Sequence, residues 1–238
     1  HAGEQWQSFF SALKKSVPYI KKKIAPHNSL GLGLRFSDSA SREILQNNSL
    51  EIFHGWLREN DLYVFTINGF VFGGFHNVIV KEKVHSPDWT TNARVEYTLR
   101  MFRILVQLLP EGIDGGISTS PLSYKYWFKN DADKENALTS SAMNIRIIAK
   151  ELHNIKTETG KILHLDIEPE ADGLIENSDE VIDFFKKYLS GNDEEILREH
   201  IRVCYDVCHF AVGYERPRDV IKKFSDEGIH IGKVQISA

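Results

Sequence analysis

The chain alternates between two periodicities, and that alternation limits its fold more than any other feature. Short strand-like runs, most of them rich in β-branched residues, take turns with segments whose apolar residues fall at helical spacing. The strand-like runs are Ser29 to Phe36, Leu62 to Asn68, Ile113 to Thr119, Ile162 to Glu168, Ile201 to Asp206 and Ile231 to Ser237. The helical runs are Glu4 to Ile20, Ser37 to Asn60 (split near Asn47 and Asn48), Thr91 to Leu109, Asp133 to Thr159, Ser178 to Leu189, Glu194 to His200 and Pro217 to Glu227. Ser178 and Asp179 are the expected caps of their helix. No hairpin signal joins two strands, so the strands should be parallel with helical crossovers.

This order predicts an α/β fold of the TIM (β/α)8 type, with residues 1–238 as a single domain. A closed barrel needs eight strand–helix units. The chain opens on a helix and ends on a strand, so the expectation is a barrel lacking its first strand and its last strand–helix unit. A doubly wound open sheet is the alternative. Gly31-Leu32-Gly33 lacks the rest of a dinucleotide fingerprint, and no Walker-type loop is present.

The net charge of −4 gives no electrostatic footprint for nucleic acid, which is not an expected partner. The basic run Lys21-Lys22-Lys23 reads as a solvated helix end. Two cysteines, Cys204 and Cys208, fit a reduced, cytoplasmic setting better than a disulfide scaffold. No apolar stretch is long enough to span a bilayer. The chain begins on His1 rather than methionine, so its start reads as cut, with room for a lost targeting segment.

Two strands end in acid, and in a parallel sheet such ends converge on one face. Glu168 closes Ile162-Leu163-His164-Leu165-Asp166-Ile167, and Pro169 then stops the ladder. Asp206 closes the next strand and is followed by His209. One reading of Asp206-x-x-His209 is a metal ligand beside an imidazole. The other is a turn-capping Asp with a core histidine. Gln235 either offers an amide oxygen at the mouth or faces a polar neighbour. Asn68 binds substrate or starts the turn at Gly69. Arg35 is placed to bind an anion or pair with an acid. Residues 69–91 are long and irregular, as functional lids often are, and His76 and Lys81 are lid contacts or ordinary loop residues. Glu170 and Asp172 read as loop acids.

The sequence resembles the xylose isomerase-like TIM barrels, which include sugar-phosphate isomerases and epimerases and the endonuclease IV group. Glu168, Asp206-x-x-His209 and Gln235 carry the resemblance, and Cys204 to Tyr214 is its most specific part. It implies that Glu168 binds a divalent metal and moves a proton, that Asp206 binds metal, and that His209 binds metal or touches substrate. Gln235 stands where a histidine ligand is usual. Asn68 and Ser118-Thr119 stand where the endonucleases carry further zinc-binding histidines, which counts against a trinuclear cluster. The family's last glutamate would lie beyond Ala238. Leu32-Gly33-Leu34-Arg35 and Ile167-Glu168-Pro169-Glu170 look most like the barrel of Ebo-type metabolite-traffic gene clusters.

The implied function is a divalent-metal-dependent sugar (phosphate) isomerase or epimerase, working through an enediolate. The implied cofactor is one Mn, Mg, Co or Zn ion. The implied partner is a sugar or similar polyhydroxy metabolite. The alternative is a non-catalytic metabolite-binding barrel with a weakened metal site, and an endonuclease IV-like repair nuclease stands third.

Overall fold

A computed structural model describes residues 4–73 and 81–237. In chain order the elements are α1 (Trp6–Ile24), β1 (Leu30–Arg35), α2 (Asp38–Glu43), α3 (Ser49–Glu59), β2 (Leu62–Asn68), α4 (Asn92–Leu108), β3 (Gly115–Thr119) and α5 (Asp131–Thr159). They continue with β4 (Leu163–Ile167), α6 (Ser178–Tyr188), α7 (Glu194–His200), β5 (Ile201–Asp206), α8 (Val207–Val212), α9 (Pro217–Asp226) and β6 (Ile231–Gln235).

Local chemistry sets these boundaries. The break between α2 and α3 falls at Asn47 and Asn48, both left-handed at φ 50° and 58°, a region asparagine tolerates better than most residues. Gly160, at φ 73°, ends α5 by donating its N–H to the Lys156 carbonyl. The cap of α6 is Asn177, not Ser178 or Asp179: its side chain accepts from the Glu180 N–H at 3.0 Å. Lys21 is not simply solvated, since it pairs with Asp61 at 3.0 Å.

The six strands are all parallel and lie in sequence order, β1-β2-β3-β4-β5-β6. The sheet curls as a barrel wall does. Lys233 on β6 donates to the Ser118 hydroxyl on β3 at 3.1 Å, across two intervening strands. The doubly wound alternative is therefore set aside. Strand side chains alternate between faces. On β4, Leu163, Leu165 and Ile167 join the apolar core shared with the helices. His164 and Asp166 take the opposite, concave face. They form a buried pair there, Nδ1 to Oδ1 at 2.7 Å. Gly116 on β3 and Gly232 on β6 close over this pair, and a Cβ at either would overlap it.

Candidate functional site

Glu168 lies just past β4, its N–H held by the Thr119 carbonyl at 3.0 Å. Its side chain is 3% exposed. Oε2 has no hydrogen-bond partner among the described residues. Burial pushes its carboxyl up to about 7; Asp206 and Glu170 add to this, while His209 and Lys233 work against it.

Asp206 caps α8. Its Oδ1 accepts from the Cys208 N–H at 3.0 Å and from the Ser237 hydroxyl. Burial works to raise its pKa, but these hydrogen bonds, the nearby imidazole of His209 and the Gln235 amide hold it below the usual carboxylate value. Phe210 stacks on Tyr205 at 4.4 Å and pins α8 over the end of β5. That fixes His209, one residue earlier. The His209 Nδ1 lies 3.0 Å from the Pro169 carbonyl, which can only accept, so Nδ1 carries the proton. Nε2 then faces Glu170 Oε1 at 3.7 Å and Asp206 Oδ2 at 4.0 Å. His209 is half-buried, not a core histidine, and Asp206 is both a cap and a member of the cluster.

Gln235 donates its amide to Asp206 Oδ2 at 2.5 Å and lies 3.4 Å from Glu168 Oε1. The amide thus bridges the two acids. A cavity of about 270 Å³ opens beside them, lined by Arg35, Asn68, Glu168, Glu170 and His209, with Phe70, Val71 and Val84 as apolar wall. Arg35 donates to the Gly73 carbonyl at 3.0 Å. Asn68 accepts from the Phe70 N–H at 3.1 Å, the turn-starting role, while also lining the cavity. Lys81 begins a short 3-10 turn, Lys81–His85, but its side chain and all of His76 lie outside the described residues. A larger cavity of about 830 Å³ lies against α6, yet it holds none of these groups. The chemistry converges at the smaller one.

Sequence reasoning set Glu170 aside, read Cys208 only as evidence of a reduced setting, and missed Ser237 and Lys233. A ligand atom from each of Asp206, Cys208 and His209 lies within 4.8 Å of the other two. Two carboxylates, Glu168 and Glu170, each with a buried oxygen that has no partner among the described residues, adjoin them. An orphaned acid, a second acid and an imidazole whose Nδ1–H is held by a carbonyl fit a divalent ion of the Mn, Co or Zn kind.

No family model matches the chain, and no curated protein matches it in sequence. Solved structures do match. The zinc-bound IolI protein aligns over 84% of this chain and 60% of its own, at 14% identity and a TM-score of 0.51. An AP endonuclease, family 2, from Brucella melitensis aligns over 87% and 68%, at 13% identity and 0.51. A xylose isomerase domain protein from Planctomyces limnophilus aligns over 88% and 72%, at 12% identity and 0.51. The chain spans about 60% of the length of IolI. These matches show the fold alone: the six parallel strands form part of a TIM-type barrel, as the sequence led us to expect.

Proposed function

We propose that this barrel is a divalent-metal-dependent isomerase or epimerase of a sugar or similar polyhydroxy carbonyl compound. The observation that carries the reading is Glu168: a buried carboxyl near neutrality, with one unpartnered oxygen, on the wall of a cavity. An acid with a pKa near the working pH can both take and return a proton. Glu168, Asp206 and His209 would hold the ion, with Gln235 joining them if its amide turns its oxygen inward. That ion would polarise the carbonyl and its neighbouring hydroxyl. IolI, of the same fold, binds zinc.

The chain's own residues account for the rest. Glu168 takes the proton from the carbon beside the carbonyl. Glu170, also raised by burial and on the same wall, is the second acid and would deliver a proton of its own, Glu168 then releasing the one it took to solvent. His209 would offer Nε2 to the ion, since its Nδ1–H is held by the Pro169 carbonyl. Arg35 and Asn68 orient the far end of the molecule. Phe70, Val71 and Val84 keep water from the reacting carbon.

The test is exchange of the carbon-bound proton with solvent deuterium, run on a panel of ketose and aldose phosphates with Mn²⁺. Glu168→Gln should abolish exchange while the metal still partly binds; retained exchange removes Glu168 as the base. A second reading, a barrel that binds such a compound without turnover, draws on the Gln235 amide, which already sits between the acids as a cation would. A stoichiometric divalent ion in the purified protein supports the enzyme, and its absence supports the binder.

A further inference from the structure

Away from the mouth, three side chains gather at the opposite end of the strands. His153 on α5 and Glu199 and His200 on α7 each offer a ligand atom within 4.8 Å of the other two. His200 immediately precedes β5 and is fully buried. Its Nδ1 lies 2.8 Å from the Leu163 carbonyl at the start of β4. A carbonyl only accepts, so Nδ1 carries the proton, and in the neutral ring Nε2 presents a lone pair. Among the described residues Nε2 has no hydrogen-bond partner. What it faces is Glu199 Oε2 at 3.3 Å, another lone-pair donor. His153 Nδ1 is likewise buried and unpartnered.

We infer that His153, Glu199 and His200 form a second metal site, for a zinc-class divalent ion, that ties α5 to α7 beneath the sheet. The carbonyl-held imidazole is the arrangement that orients a histidine ligand. Two imidazoles and one carboxylate suit Zn²⁺, Co²⁺ or Ni²⁺ rather than Mg²⁺ or Ca²⁺. Lys156 binds Glu199 through Oε1, which leaves Oε2 for the ion. Three protein ligands leave one position for water. The site lies where β4 and β5 begin, and in such barrels that end serves stability rather than catalysis. The ion would fasten the two helices that flank the strands carrying Glu168 and Asp206, without touching the mouth.

The probe is Zn²⁺ alone, added to the chelator-stripped full chain, with ring-nitrogen NMR of the histidines and a competing chromophoric chelator. We expect the His153 and His200 ring signals to shift at saturation in the wild-type protein and in Asp206→Asn. His153→Ala should bind at this site at least about tenfold more weakly. His153 is only half-buried, so this variant is the least disruptive of the set, and Glu199→Gln is the second. Ring signals that do not move in the wild-type protein at saturating Zn²⁺ overturn the inference without any variant. So does a His200 ring protonated on both nitrogens in the presence of Zn²⁺, since that makes the contact with Glu199 an ion pair. Shifts confined to His209 would assign all binding to the mouth and overturn it as well.

Discussion

Glu168 should make the metal-free protein less stable as pH rises, and replacing it should remove that dependence. An ordinary glutamate titrates near 4.5, and the buried Glu168 near about 7. Below the lower value the side chain is protonated in both the folded and the unfolded chain, so it costs nothing. Between the two, the unfolded chain gives up its proton first, and stability falls with pH. Above about 7 the cost is complete. At 1.36 kcal/mol per pH unit it amounts to about 3 kcal/mol, an upper figure because water reaching the site would lower it. Glu168→Gln carries its own pH-independent cost, an amide in place of an acid. The quantity to read is therefore the change in the difference between variant and wild type. Urea unfolding of both, from about pH 4 to about pH 8, should show the variant gaining on the wild type by up to about 3 kcal/mol. Excess Mn²⁺ at the upper pH should cancel the gain by restoring the wild type. A difference that stays flat across the range would falsify the placement of Glu168 as a buried, near-neutral acid.

Three further outcomes follow from the same geometry. Gly232→Ala forces a methyl into the His164–Asp166 pair and should cost about 1–3 kcal/mol, whereas Gly55→Ala, with open space around it inside α3, should gain about 0.5–1 kcal/mol; denaturant midpoints decide both. Asp206→Asn keeps the cap of α8 and loses metal affinity, while Asp206→Ala loses both, at about 1 kcal/mol of stability for the cap; equal stability of the two variants would contradict the capping role. Burial raises the pKa of the Cys204 thiol and hides it, and Cys208 is half-exposed, so alkylation of the native protein followed by mass spectrometry should find label on Cys208 alone.

Much of this molecule is legible in the sequence because strand order and strand ends are local signals. Leu62–Asn68 and Glu194–His200 match the predicted runs residue for residue, since their apolar patterns begin and end abruptly. The cap of α6 was misplaced by one residue because Asn177, Ser178 and Asp179 are all good caps, and only tertiary packing chooses: the Ser178 hydroxyl donates instead to the Glu215 carboxylate. Glu170 was passed over because it follows a proline in a loop, and nothing local says that the chain folds back toward His209. Lys233 reaches its partner over 115 residues of sequence, which no pattern records. His164 and Asp166 did carry a signal. They and Glu168 alternate with Leu163, Leu165 and Ile167, so one parity of this strand is polar along its length. A buried strand with one polar face belongs to a wall with a polar interior.

Gln235 bears on how such a barrel changes over generations. Its amide spans the two acids, so a mouth with no ion bound still holds together. The codons for glutamine lie one base from those of glutamate and one base from those of histidine. A lineage can therefore pass between a neutral strut and a charged or imidazole ligand at this position by the smallest mutational step, with folding preserved on either side. Under the proposed function, this is a position where ion dependence could be tuned by one substitution without first rebuilding the scaffold.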